Sequence, residues 1–252
     1  MKLTVLGKSP SWEDVGAACS SYLVEEAGTA LLVDCGSGAL GKLRARIDYR
    51  DLDAIVISHF HADHLLDLVP FACALRYGPA SGDGTRPPRL IAPRGAGRFF
   101  DRLGAALNHD DLITGTFPLE EYEPRSRTQV GPIEVRTHPV PHVGPTHAIE
   151  LVAPGGGRIV FGADGPASEE LAEAAGGADL LIAEATLPDP EPVEGVHMSA
   201  EEAGRLARAA GVGRLVLTHI SDELDLERSR GIAAREFGGA VEVASEGASY
   251  EV

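Results

Sequence analysis

Ile55-Val56-Ile57-Ser58-His59-Phe60-His61-Ala62-Asp63-His64 places four candidate metal ligands, His59, His61, Asp63 and His64, directly behind a short apolar run. Crowding three imidazoles and a carboxylate into one turn is costly unless something pairs them. Neutral imidazole with carboxylate is the donor set of zinc and its first-row neighbours. The competing reading is a solvated polar loop, and so dense a set of ligands rarely serves packing alone.

Outward from this stretch, apolar runs predict strands at Leu3 to Leu6, Ser21 to Glu25, Ala30 to Asp34, Ala54 to Ser58 and Arg89 to Ala92. Helical spacing runs from Asp63 to Leu75 and from Arg98 to Leu107, separated by a breaker-rich loop around Gly78 to Pro88. The second half predicts strands near Ile133 to Thr137, His147 to Ala153 and Arg158 to Ala163, then a helix opened by Ser168 and closed at Gly176. Leu180 to Ala183 and Leu215 to Thr218 read as buried strands. Ser199 with Glu202 forms a capping box for a helix ending near Gly211, and Val241 to Val243 returns to strand. Two groups of strands, each followed by helices, with polar residues at nearly every strand end, predict an α/β fold: two mixed sheets face to face, helices outside, and a site where strand ends converge. Residues 1–252 read as one domain.

Composition limits the function. The net charge is −16, which disfavours a long nucleic acid as substrate, since such binding draws on Lys and Arg. Bound cations would offset carboxylates locally, so a small anionic substrate remains compatible. No stretch approaches the roughly 20 apolar residues of a membrane span, and the start lacks a secretory pattern, so a cytoplasmic location is expected. Cys19, Cys35 and Cys73 are odd in number and lack CxxC spacing, which argues against a disulfide framework.

Further along stand His142 in Pro139-Val140-Pro141-His142, Asp164 in Phe161-Gly162-Ala163-Asp164-Gly165, His197 in Gly195-Val196-His197-Met198-Ser199, and His219 after Leu217-Thr218. With these, the chain resembles the metallo-β-lactamase fold superfamily from Leu3 to Val252. More narrowly it resembles the phosphodiesterase branch that includes ribonuclease Z and the atypical bacterial cyclic-nucleotide phosphodiesterases. The resemblance implies an αββα sandwich and two divalent metal ions, zinc first and manganese or iron as alternatives. His59, His61 and His142 would hold one ion, Asp63, His64 and His219 the other, and Asp164 would bridge them. Aspartate at 164, where β-lactamases of the family carry cysteine, points toward phosphoesters.

In the resembling phosphodiesterases a histidine in the context of His197 contacts the scissile phosphate; a capping or core histidine is the plain alternative. Asp63 would accept a proton, and His197 would assist the departing oxygen. Asp34 matches the superfamily's early aspartate and is expected to hydrogen-bond a ligand histidine or a nearby turn, and Asp67, one turn beyond His64, is a further candidate to support the site from behind. His138 lies four residues before His142 and from the residues alone is also a candidate third ligand; the resemblance aligns at His142. His109 reads as surface, and His147 as a strand residue, with substrate contact the alternative. Glu184 follows a buried strand, where support of His197 or His219 and a solvated turn are equal alternatives, and it is assigned no role. Arg76, Arg86, Arg89 and Arg94 flank the breaker-rich loop, where arginines are usually solvated. Bacterial ribonuclease Z inserts a long arm between the equivalents of His142 and Asp164 to grip tRNA, and this chain has only a hairpin's length there. The expected function is therefore a dinuclear zinc phosphodiesterase acting on a small phosphodiester such as a cyclic nucleotide, with a ribonuclease Z-like endonuclease or a lactone, thioester or β-lactam hydrolase as alternatives. A homodimer is what the resemblance implies.

Overall fold

The computed structural model describes residues 1–79, 81, 84, 86–188 and 195–252. Its first half comprises β1 (Lys2–Gly7), β2 (Ser21–Glu26), β3 (Thr29–Val33), α1 (Ala39–Arg44), β4 (Ala54–Val56), α2 (Ala62–Leu65), α3 (Leu68–Tyr77), β5 (Arg89–Pro93), α4 (Ala96–Ala106) and β6 (Leu119–Tyr122). The second half follows with β7 (Arg127–Val130), β8 (Ile133–Val140), β9 (Thr146–Val152), β10 (Arg158–Phe161), α5 (Glu169–Ala175), β11 (Leu180–Glu184), α6 (Ala200–Ala210), β12 (Leu215–Thr218), α7 (Leu226–Phe237), β13 (Val241–Val243) and β14 (Ser249–Glu251).

Two seven-stranded sheets result, in the orders β14-β1-β2-β3-β4-β5-β6 and β13-β12-β11-β10-β9-β8-β7. Each is antiparallel on one side and parallel on the other: β3 to β6 run parallel in the first, β10 to β13 in the second. The parallel strands are covered on both faces, which is why β4 and β11 are buried along their whole length rather than alternating. β8, in the antiparallel part, does alternate, with Ile133, Val135 and Thr137 turned inward.

Three apolar layers follow from this pleat. Val5, Tyr22, Val24, Leu31, Val33 and Val56 of the first sheet meet Val135, Ile149, Leu151, Phe161, Ile182 and Val216 of the second. The outer face of the first sheet carries Leu23, Leu32 and Ile55 against Leu43, Phe71 and Phe100 of α1, α3 and α4. The outer face of the second carries Val160, Leu181 and Leu215 against Leu171, Ala203 and Ala233 of α5, α6 and α7. The expected αββα sandwich is what the chain forms. No helix among the described residues is long and apolar enough to cross a membrane.

One expectation needs correction. The helix predicted over Asp63 to Leu75 is two helices, because Pro70 has no N–H to offer the Leu66 carbonyl and its ring would collide with that carbonyl in a continuous helix. Within α3 it sits in the first turn, where the missing donor costs nothing. Strands β6, β7 and β14 and helices α1 and α7 carry too few apolar residues to announce themselves. The breaker-rich loop at 78–88 lies partly outside the described residues.

Candidate metal centre

Because parallel strands end on the same edge, the residues just past them collect there: Asp34 after β3, Ser58 and His59 after β4, Asp164 after β10, Glu184 closing β11 and His219 after β12. The short turn of α2 adds Asp63 and His64, with His61 in extended backbone immediately before it. The loop between β8 and β9 adds His142.

The predicted ligands form two clusters sharing one carboxylate. In the first, His61 Nδ1 lies 3.1 Å from His59 Nε2 and 3.3 Å from His142 Nε2, with Asp164 completing the group. In the second, His219 Nε2 lies 3.0 Å from Asp63 Oδ2, and His64 Nε2 lies 3.3 Å from that oxygen. Asp164 Oδ2 is 3.2 Å from His64 Nε2, 3.3 Å from His219 Nε2 and 3.7 Å from His59 Nε2, so it faces both clusters.

The back of each imidazole decides what its front can do. His64 Nδ1–H donates to Asp34 Oδ2 at 2.7 Å. His59 Nδ1–H donates at 3.0 Å to Ser58 Oγ, whose own proton goes to Asp34 Oδ2 at 2.8 Å. His142 Nδ1–H donates to the Val196 carbonyl at 3.1 Å, and His219 Nδ1–H to Thr186 Oγ1 at 2.7 Å. Each of these four rings therefore turns a bare Nε2 toward the centre. His64 Nε2 is buried with no hydrogen-bond partner, its lone pair set against two carboxylate oxygens. Such an arrangement is repulsive unless a cation occupies it. Nitrogens about 2.0–2.1 Å from a tetrahedral zinc lie about 3.3 Å apart, close to the separations in the first cluster. The donor set fits divalent cations of the zinc kind.

Charge effects agree. Burial, helped by His64, drives His59 well below the usual histidine range, and burial also lowers His142, so both are held neutral as ligands must be. At the second cluster a proton can take the cation's place. Burial acts to lower His64, but Asp164 and Asp34 outweigh it and hold its pKa well above the usual histidine range. The imidazoles in turn overcome the burial of Asp63 and Asp164 and keep both carboxyls anionic, and a bound metal would displace the proton from His64 Nε2.

His197 stands apart from both sets and beside each. Its ring lies 5.5 Å from that of His219 at an interplanar angle of 20° and 5.3 Å from that of His142 at 58°. Nδ1–H is gripped by Glu184, 2.9 Å from Oε1 and 3.0 Å from Oε2. Burial lowers the basicity of this ring, yet the hydrogen bond and charge of Glu184 outweigh it and raise the pKa above the ordinary value. The side chain keeps 20% of its surface open, whereas Glu184 is sealed. Glu184, to which the sequence assigned no role, is thus a hub: it also accepts Gly165 N at 2.6 Å, Met198 N at 3.2 Å and Thr186 Oγ1 at 2.7 Å. Its one legible signal was its place at a strand end, shared with Asp34, Asp164 and His219.

Backbone strain is concentrated at the same edge. Asp34 (φ 56°), Ala163 (φ 56°) and His219 (φ 47°) all adopt the left-handed conformation that costs a non-glycine residue roughly 1–3 kcal/mol. Gly165 (φ 150°) passes so close to the neighbouring loop that a Cβ would stand 2.3 Å from the Pro141 carbonyl oxygen, an approach that brings Asp164 beside His142.

The remaining candidates are placed elsewhere. Asp67 directs Oδ2 to the Leu40 amide at 2.8 Å, at the start of α1, and no described contact joins it to a ligand imidazole, so its bracing is of the backbone. His138 pairs with Glu150 at 2.8 Å, outside both clusters. His147 is buried against Tyr122, ring centroids 5.0 Å apart. His109 meets Tyr77 Oη at 3.0 Å on the surface. Arg76, Arg89 and Arg94 are engaged by Asp111, Glu120 and Glu123. Cys19 and Cys35 are buried free thiols.

A family model described as the Beta-lactamase superfamily domain matches residues 29–220. The chain is 30% identical to the probable metallo-hydrolase YhfI of Bacillus subtilis, over all of both sequences. It is 31% identical to a ribonuclease Z of Myxococcus xanthus, covering 100% of this chain and 98% of that one. The crystal structure of YhfI, described as a metallo-beta-lactamase fold protein, superposes with a TM-score of 0.89 at 28% identity, covering 100% of this chain and 99% of that one. A diphosphatase from the PhnP family shares the fold, with a TM-score of 0.76 at 22% identity and 100% and 97% coverage. The match over residues 29–220, which takes in every clustered histidine, together with full-length alignment to these relatives at 30% and 31% identity, establishes that the chain belongs to the β-lactamase superfamily domain family.

Proposed function

We propose that the chain is a metal-dependent phosphodiesterase with two divalent cations, zinc by donor type and manganese or iron as alternatives, acting on a small phosphodiester such as a cyclic nucleotide. His59, His61 and His142 would hold one cation and Asp63, His64 and His219 the other, with Asp164 between them. When bound, such cations lower the pKa of water toward about 7 and offset charge on phosphoryl oxygens. Asp34 fixes His64 directly and His59 through Ser58, so that two ligands share one buried anchor. Asp63, ionised between His64 and His219, is an acceptor for the proton of the attacking water. His197, with Nδ1 committed to Glu184, has Nε2 left to hand a proton to the departing oxygen.

The observation that carries the reading is the His197–Glu184 pair itself. It is a partly open donor, flanked by one ligand from each cluster and backed by a sealed carboxylate. Hydrolysis of a phosphodiester needs such a group because its leaving oxygen is a poor one. The preference for a compact substrate is supported by three facts. The β9–β10 connection is a direct hairpin, the net charge is −16, and the alignment with ribonuclease Z spans 304 positions against the 252 residues here, so that relative carries segments with no counterpart in this chain.

A panel of 2′,3′- and 3′,5′-cyclic nucleotides, a tRNA precursor, a lactone and a chromogenic β-lactam tests the proposal. Cyclic nucleotides should give the highest kcat/KM. Cleavage of the tRNA precursor alone would move the assignment to the endonuclease named by the 31% identical relative. Turnover of the lactone or lactam alone would place the reaction at carbon.

A further inference from the structure

Lys8 is a buried cation, 8% exposed, that no step of the proposed chemistry uses. Its ammonium donates to Asp14 Oδ2 and, at 2.8 Å, to the carbonyl of Ile220. The Ile220 amide donates back to the Lys8 carbonyl at 3.2 Å. Asp14, itself buried, accepts Ser221 Oγ at 3.2 Å and the Asp222 amide at 3.1 Å through Oδ1. Each of the three residues that follow His219 is therefore tied to Lys8 or Asp14. On the other side of His219, Thr218 is held by the Tyr22 hydroxyl at 2.6 Å and by pairing with Glu184. Between these anchors His219 adopts φ 47°, a conformation that persists only where the chain on both sides enforces it.

We propose that Lys8 and Asp14 are a positioning pair for His219: by fixing the backbone behind it they aim Nε2 at Asp63 and Asp164, and so set the cation affinity of the Asp63–His64–His219 cluster while leaving the His59–His61–His142 cluster alone. A buried ion pair of this kind is poor evidence of stability in itself, because well-packed apolar residues often do as well. Its placement on the chain immediately after one strained ligand residue gives it a local task. Lys8 also tethers the loop from Ser9 to Ala18, which Asp14 closes on itself through Ser9 Oγ at 3.1 Å and the Ala17 amide at 2.9 Å. The loop and the ligand thus share one clamp. The inference rests on the two-cation reading above.

The test is titration of the metal-free full-length protein with Co2+, followed by visible absorption, with thermal unfolding recorded on each sample. Wild type should take up two ions in two resolvable steps, and His219→Ala identifies the step that belongs to its cluster. Lys8→Met should weaken that step at least tenfold and leave the other within twofold. Should Lys8→Met fail to fold, Asp14→Asn, which keeps the shape and drops the charge, should weaken the same step several-fold. Phe117→Leu, in the core against Phe71 of α3, serves as a destabilised control and should leave both steps unchanged. Equal affinities in wild type, Lys8→Met and Asp14→Asn overturn the proposal, as does weakening of both steps together or the same selective loss in Phe117→Leu. A wild type that takes up fewer than two ions overturns the two-cation reading, and this proposal with it; two tight ions in both wild type and Lys8→Met overturn this proposal alone.

Discussion

Glu184→Gln is the most informative single substitution, because the geometry says how the amide would sit. With its NH2 at the Oε1 position, glutamine would point donors at Gly165 N and His197 Nδ1. With the NH2 at Oε2, Thr186 can turn its hydroxyl proton to the His219 carbonyl 2.8 Å away and accept instead, leaving only the Met198 amide without an acceptor. The second arrangement should win. One buried amide is then orphaned and the remaining bonds lose their charge assistance, a cost of about 1–3 kcal/mol in unfolding free energy. The ligands are untouched, so metal content should be unchanged. His197 loses the anion that favours its protonated form, and kcat should fall roughly 10²–10³-fold, within the range expected when general acid catalysis is removed. Steady-state hydrolysis of a cyclic nucleotide, whose departing alkoxide needs a proton, urea unfolding and metal analysis on the same preparation test all three statements. A metal-loaded Glu184→Gln enzyme with kcat within threefold of wild type would refute the assignment of the pair.

Three other expectations follow from the same structure. His197→Ala should keep its metal and its fold yet lose about 10²–10⁴ in kcat, measured on the same substrate; a near-normal rate would remove His197 from the mechanism. Gly165→Ala forces a Cβ against the Pro141 carbonyl and strains φ 150°, so it should destabilise by roughly 1–3 kcal/mol from the backbone conformation, with the clash adding to that, and lower metal retention on dialysis. Glu150 is buried between His138, Arg136 and Arg158, and although burial opposes it these partners hold its pKa down to about 2. A carboxyl depressed in the folded state contributes stability above its unfolded pKa near 4.5 and loses it as pH falls toward 2, here roughly 3 kcal/mol. Between pH 5 and pH 2 the urea midpoint of wild type should therefore drop more than that of Glu150→Gln; equal drops would show that the cluster does not carry the acid sensitivity.

The clustering of the candidate donors was legible because its chemistry is local. Three histidines and an aspartate in one turn announce a metal site whatever surrounds them, and the apolar runs before Asp34, Asp164 and His219 mark strand ends. What escaped was relational. Glu184 looks like any glutamate after a buried strand until β11 is seen beside the residues around His197, and Thr186 and Ser58 gain meaning only as the acceptors that fix two tautomers. Asp67 was misleading for the converse reason: one turn past His64 in sequence, it is carried away by the helix break at Pro70 and turned to the Leu40 amide. His138 and His142 lie four residues apart, but His138 stays within β8 and pairs with Glu150 whereas His142 lies in the loop past the strand end, something spacing cannot decide. The edge strands Leu119–Tyr122 and Arg127–Val130 are mostly polar, as exposed edges tend to be, and so lacked the apolar pattern that betrays central strands.

Hydrolysis of bis(p-nitrophenyl) phosphate by the purified protein, before chelation, after it, and after stepwise return of zinc or manganese, tests the central claim most directly. Turnover should vanish on chelation and return in full only when two equivalents have been restored. A preparation shown to carry two ions per chain that leaves the phosphodiester intact would contradict it.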